Sequence, residues 1–540
     1  MTNLVSMKSN GFLILSVLLL VCFACSNNAH EKNVERDTTI NETTSFNNLF
    51  LDSNTIHQFF VSNERFGKYE KQYDDFYKER NYEYAWFDSS GIGDQARGFI
   101  SLLGSTMATM QDSSLYNQRL MSLYNKFEDR SDKKHTADEV LNTELLLTGQ
   151  FFHYASKMYR GTDSNIADLG WFIPRKKINL TALLDSVIIT KDTQVDKFAS
   201  LNEQYSKLKA FLPQFYALQK QGNWDTIPQR KRPLHLKDDT VIIATIKDRL
   251  HRLGDMPEVD STTLFDSALF TAVKTFQRRM GLSVDGAIGP KMIEEINITP
   301  TQRIQQILVN LERMRWMPPP HKEHEFIYVN IPEYKMYVYN EDTLKFDMNV
   351  IVGTAANSTV VFSGDLKFIV FAPYWKVPDK IVRTEILPSM KKDTGYLRKN
   401  MMERTGGPDT LPSIRQLPGP LNSLGKVKFL FPNNYDIYFH DTPNRNLFSA
   451  SSRSFSHGCI RVGEPKKLAE FLLRNDTSWN EIRIDTLMNS VKEKWVTLPR
   501  TVPVIITYFT AFVDDEGVLN FRKDIYKHDE RLADKLFARQ

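Results

Sequence analysis

The sequence predicts a multidomain α+β protein in which an α-helical scaffold and a three-helix module precede a mainly-β domain with an inserted lid. Three observations lead there. The chain has 540 residues, and at roughly 150 residues per domain that length suggests about three or four units. Apolar residues recur at helical spacing up to about residue 298; from about 325 they alternate with polar neighbours, the period of a half-buried strand. A Pro/Gly/basic stretch between Phe371 and Lys426 is far longer than an ordinary connection, which marks it as a lid or a small inserted subdomain.

Composition excludes several classes. With 41% hydrophobic and 25% charged residues, the chain is neither a polytopic membrane protein nor wholly disordered. Sixty-nine basic against 65 acidic residues leave a net charge of +4. That is no bulk field for nucleic acid, so no nucleic-acid partner is expected. The three cysteines, Cys22, Cys25 and Cys459, are too few for a disulfide framework. No CxxC pair stands in the body of the chain and no metal-ligand cluster is visible, so no cofactor is expected.

Residues 11–24 (GFLILSVLLLVCFA) are almost continuously apolar. At about 1.5 Å per residue they fall short of a bilayer core of about 30 Å. Residues 1–24 therefore read as a secretory signal peptide. It ends at Ala24-Cys25, and a small residue before a cysteine resembles a bacterial lipobox, in which the cysteine is lipidated and becomes the new N-terminus. A cleaved signal and an uncleaved anchor are the alternatives. Residues 25–48 are polar, without a core pattern, and read as a flexible tether. Together these readings place a membrane-anchored lipoprotein, lipidated at Cys25, in the cell envelope or periplasm.

Residues 49–238 are helical in pattern and read as a scaffold. Thr136-Ala-Asp-Glu139 is a capping box, followed by an apolar face over Leu141, Leu145, Phe152, Tyr154, Ala155 and Met158, with Gly161 as the stop. Trp86 with Asp88 and Gly91, and Trp171 ahead of Pro174, read as packing and turn residues. Residues 239–300 read as three short helices. The first carries Ile243, Ile246 and Leu250; the second is capped by Asp266; the third opens at Gly289-Pro290, where proline suits the first helical position. The string AVKTFQRRMGLSVDGAIG resembles the peptidoglycan-binding module of wall enzymes, which implies glycan or peptide binding; a spacer role is the alternative. Residues 301–323 read as a connector. Strand-like runs over Tyr328–Val338, Leu366–Phe371, Lys426–Phe431 and Tyr435–His440 place the β domain at 324–515, with the lid at about 373–425 and a C-terminal tail at 516–540.

Cys459 stands in Ser456-His457-Gly458-Cys459-Ile460-Arg461, and His440 ends a strand nineteen residues earlier. A thiol near its free pKa of about 8.5 is mostly protonated at neutral pH, so a nucleophilic role calls for a base nearby. Either histidine could serve, and a buried inert thiol is the other reading. The wider string His440-Asp441-Thr442-Pro443, then sixteen residues between His440 and His457, then Ser-His-Gly-Cys, resembles the catalytic signature of the L,D-transpeptidases. Further stretches resemble the large Gram-negative subgroup, among them Arg315-Trp316, Ile351–Thr354, Ala372–Trp375 and Gly419–Gly425. That subgroup joins a YkuD-type catalytic domain bearing a lid to a helical scaffold and a peptidoglycan-binding domain. Thr359-Val360-Val361 departs from the family's usual Thr-Pro.

The resemblance implies roles. Cys459 would be the acylated nucleophile and His440 the general acid/base, its second ring nitrogen oriented by a backbone carbonyl. Backbone amides at Gly458 and Cys459 would stabilise the oxyanion. Ser456, His457, Arg461, Tyr396 and Trp375 would line the substrate site; an internal salt bridge is the alternative for Arg461, and packing for the two aromatic residues. The implied partners are peptidoglycan stem peptides, and the chain is read as a monomer. The implied reaction releases D-Ala from a tetrapeptide stem and passes the acyl group to a neighbouring stem amine. An L,D-carboxypeptidase, a protein-to-wall ligase and a catalytically silent wall-binding lipoprotein remain alternatives.

Overall fold

The computed structural model describes residues 49–129, 135–162, 164–190, 203–318 and 325–537. The signal peptide, Cys25 and the tether all lie outside the described residues. No described helix is long and apolar enough to cross a membrane.

The scaffold is built around α1 (Ala137–Ala155), whose first turn is fixed by the expected capping box. Thr136 Oγ1 accepts from the Glu139 amide and Glu139 Oε2 accepts from the Thr136 amide. Beyond it Leu145, Leu146, Leu147, Phe151 and Phe152 are buried. Gly149 lies where a Cβ would run into the Tyr73 hydroxyl and the Phe66 ring, so only glycine lets these elements close. Buried Glu144 accepts from the Ala85 and Trp86 amides and from the Tyr77 hydroxyl, which holds the neighbouring hairpin to this helix.

The module forms α2 (Ile242–Arg252), α3 (Ser267–Arg279) and α4 (Pro290–Ile296) around Ile243, Ile246, Leu250, Leu269, Val273 and Phe276. Asp266 caps α3 as expected, accepting from the Leu269 amide at 2.8 Å.

The stretch read as a connector is, over Pro300–Trp316, a 17-residue helix, α5, buried along most of its length. It is the pillar between scaffold and β domain. Arg315 Nε donates to the Met158 carbonyl and Nη2 to the Tyr205 hydroxyl; Glu312 accepts from the Thr162 amide and from Trp316 Nε1. On its other side Asn310 exchanges two hydrogen bonds with Thr510. The C-terminal tail also folds back: Phe521 and Leu532 are buried, and Arg313 pairs with Asp529 at 2.5 Å. Both stretches looked like linkers because their polar residues, which form bonds between domains, resemble solvent-facing ones in a linear reading.

The β domain is one nine-stranded sheet. Its strands are β1 (Phe326–Asn330), β2 (Lys335–Asn340), β3 (Thr343–Gly353), β4 (Ser363–Phe371), β5 (Val427–Leu430), β6 (Phe439–His440), β7 (Ser454–Ser456), β8 (Ile460–Val462) and β9 (Lys494–Thr507). The order is β7-β3-β8-β6-β5-β4-β9-β1-β2. Because the first part of β3 also pairs with β2, the sheet closes on itself through this one long strand. The lid between β4 and β5 has its own three-stranded sheet and its own apolar cluster of Val377, Ile381, Val382, Ile386 and Ile414.

Candidate active site

Two short strands position the candidate pair. β6 and β8 run parallel, with Phe439 opposite Ile460 and His440 opposite Arg461. Paired residues share a sheet face, as do alternate residues along one strand. The Ile460 amide donates to the Tyr438 carbonyl, which carries the register back to Cys459 beside Tyr438. Cys459, Arg461, Tyr438 and His440 therefore stand on one face. The Tyr438 and His440 rings lie 5.7 Å apart.

His440 is 5% exposed, and its Nδ1 is 2.5 Å from the Asp441 carbonyl oxygen. A carbonyl can only accept, so Nδ1 carries the proton and Nε2 is left as the basic nitrogen. Burial pushes the imidazole down to about 3, helped by the Arg461 guanidinium and by Lys428, against the Asp441 carbonyl. The Cys459 thiol is partly accessible and donates to the Asp436 carbonyl at 3.4 Å. Desolvation pushes it up to about 11, opposed by hydrogen bonding from Tyr438 and by Arg461. At neutral pH both groups are uncharged.

The loop before the thiol departs from expectation at two residues. Ser456 is buried; its hydroxyl donates to the Cys459 carbonyl at 2.5 Å and accepts from the Gly458 amide at 3.2 Å. Ser456 therefore shapes the loop rather than facing substrate, and the Gly458 amide is already engaged. The Cys459 amide remains as the candidate oxyanion donor. Gly458 has φ +121°, a conformation that favours glycine, and its carbonyl accepts from Thr359 Oγ1 at 2.7 Å.

His457 meets the lid, with Nε2 2.8 Å from Glu385 Oε1. Trp375 and Tyr396 pack against the lid's own cluster. Their rings serve lid folding, as a subdomain this small needs an apolar centre. Arg461 forms no internal salt bridge among the described residues, and its Nε is buried without a hydrogen-bond partner.

Comparison with known proteins finds three family matches along the chain. Residues 324–506 match the family model described as the L,D-transpeptidase catalytic domain, residues 71–212 a scaffold domain, and residues 242–296 a "Putative peptidoglycan binding domain". This chain carries a YkuD-type L,D-transpeptidase catalytic domain. A curated protein of Haemophilus influenzae named "Putative L,D-transpeptidase" is 33% identical over 255 residues, covering 44% of this chain. The match spans 50% of that relative's length. Among solved structures, an L,D-transpeptidase of Xylanimonas cellulosilytica is 12% identical and covers 52% of this chain and 100% of its own, with TM-score 0.18. One from Stackebrandtia nassauensis is 13% identical and covers 52% and 97%, with TM-score 0.21.

Within the transpeptidase domain, sequence reasoning missed three contributors. Asp436, Tyr438 and Thr359 fix the thiol and its loop. The run Tyr435–His440 read as a strand, but only Phe439–His440 is one. Asn433 is the signal that could have shown it. Its side chain accepts from the Tyr435 and Ile437 amides and donates to the Phe431 and Ile437 carbonyls, so the chain loops around it. Asp436, at φ +55°, then presents its carbonyl to Cys459.

Proposed function

We propose that this protein is a peptidoglycan L,D-transpeptidase that forms 3→3 cross-links with Cys459 as nucleophile and His440 as general acid/base. One observation carries the reading: thiol and imidazole stand on the same face of neighbouring strands, with the histidine tautomer set by the Asp441 carbonyl. His440 Nε2 takes the thiol proton as sulfur bonds to the third-residue carbonyl of a tetrapeptide stem. The Cys459 amide supports the oxyanion. The C–N bond breaks and the same proton leaves on the amine of D-Ala. A neighbouring stem amine then attacks the thioester, the C–S bond breaks, and the acceptor's proton returns to sulfur through His440. Because both groups rest uncharged, no thiolate is stored, and the proton moves only when a donor is in place.

The lid supports transfer over hydrolysis, since covering the thioester keeps water from it. Purified protein should convert tetrapeptide muropeptides to 3→3 dimers with release of D-Ala, read by mass spectrometry. Cys459→Ala should do neither while keeping its fold; dimers formed by that variant would sink the assignment. Monomeric tripeptides alone would indicate a carboxypeptidase. In cells, the lipid-anchor reading is tested by Cys25→Ala, which should move the protein from the membrane to the soluble fraction.

A further inference from the structure

On the far side of His440 from Arg461 stands Lys428. The residues pair in sequence across three strands, with Arg461 opposite His440 and His440 opposite Lys428. All three therefore share one face, and the imidazole lies between two cations. Both are partly desolvated, which lowers each below its usual range. Neither has a carboxylate within ion-pair distance among the described residues. Lys428 Nζ reaches only the Tyr374 carbonyl, at a long 3.5 Å, and the Trp495 ring, at 5.6 Å. Arg461 Nε is buried without a partner.

The acids nearby are otherwise occupied. Asp441 accepts from the Thr442 and Lys426 amides and from Arg445. Glu493 accepts from the Tyr374 amide and from Trp495 Nε1. Asp436 is exposed. The remaining titratable groups on this face, Cys459 and Tyr438, are uncharged at neutral pH. Glu493 attracts Lys428 from beyond ion-pair distance, but two half-buried cations with no carboxylate in ion-pair contact are costly unless a ligand supplies one.

We propose that Lys428 and Arg461 form a two-cation seat for the carboxylate of the residue that leaves, placing its amine at His440. The inference rests on the transpeptidase reading. The departing amine must sit at His440 Nε2 to receive its proton, and the carboxylate of an α-amino acid is only one carbon further on. The flanking cross-strand positions, about 4.5–5.5 Å away at Cβ, are the ones such a carboxylate meets. An arriving carboxylate would also offset the cations that hold His440 uncharged, so the base strengthens only once a donor is seated. Lys428 is thus a positioning residue for the donor.

Calorimetry in the Cys459→Ala background tests this without turnover. The probes are a tetrapeptide stem and the same stem with its terminal carboxyl amidated. The free acid should bind on the order of 10- to 100-fold tighter than the amide, as a charge-assisted contact implies. Adding Lys428→Met should collapse that ratio toward one, and Lys428→Arg should restore it. Equal weakening of both ligands by Lys428→Met would overturn the proposal, leaving Lys428 a support for the lid root at Tyr374. Equal binding of acid and amide before that substitution would overturn it too. Turnover of the tetrapeptide by the unmodified protein reports separately on the transpeptidase reading.

Discussion

A thiol held near 11 and an imidazole near 3 make the resting pair neutral over the whole physiological range. The consequence is a pH profile. An ordinary histidine base would lose activity below about pH 6.5. Here the depressed value keeps the basic form present to much lower pH, and the raised thiol keeps its proton to much higher pH. The kcat/KM profile, which reports the free enzyme, should stay level from about pH 5 to 9; an acid limb near 6.5 would contradict the buried histidine. Alkylation of Cys459 by iodoacetamide should be slow at pH 7.5 and still rising at pH 9 to 10, because only the thiolate reacts. Thr359 supplies a second test. Its hydroxyl bonds the Gly458 carbonyl and the Gly353 amide, both buried. Thr359→Val should cost about 1–3 kcal/mol of stability and lower kcat more than it raises KM, with Thr359→Ser retaining most activity.

At the scale of elements, the lid is a folded unit joined by exposed contacts to the loop before the thiol and to the Ala355–Asn357 turn. His457–Glu385 spans 2.8 Å and Lys380 Nζ lies 2.5 Å from Asn357 Oδ1. Exposed pairs of this kind contribute about 0–1 kcal/mol. Glu385→Gln should therefore leave the melting temperature nearly unchanged. It should speed limited proteolysis of the lid and raise the share of hydrolysis over transfer, both measurable on the same preparation. A large drop in melting temperature would show the lid to be part of the sheet's core instead.

Across the whole molecule, α5 makes scaffold and transpeptidase domain one body. Glu312 is its centre, 2% exposed, bonded to Thr162, Trp316 and Arg315. Gly161, at φ +79°, brings the scaffold close enough for this, since a Cβ there would meet the Glu312 carboxylate. Removing one partner of a buried pair strands the other charge. Glu312→Ala should cost about 3–5 kcal/mol and split the calorimetric unfolding into separate scaffold and catalytic transitions. The scaffold also reaches the site's rim. Phe172 packs 5.3 Å from Tyr435, on the loop whose next residue holds the thiol, so loosening the scaffold should depress activity as well.

Local rules were readable in the chain. The capping box at Thr136, the Asp266 cap and the switch of period at about 325 depend on neighbours a few residues apart, and sequence displays such neighbours directly. The family resemblance and the multidomain composition were likewise legible, and the structure brings His440 and Cys459 to one sheet face. Placement across the sheet was not. That Ser456 turns inward, that Gly458 spends its amide, that Trp375 and Tyr396 serve the lid, and that Lys428 joins Arg461 beside His440 all follow from strand register and burial. The connector and tail became core for the same reason. A polar side chain reads alike whether it faces water or a partner two hundred residues away, and only the tertiary structure decides which.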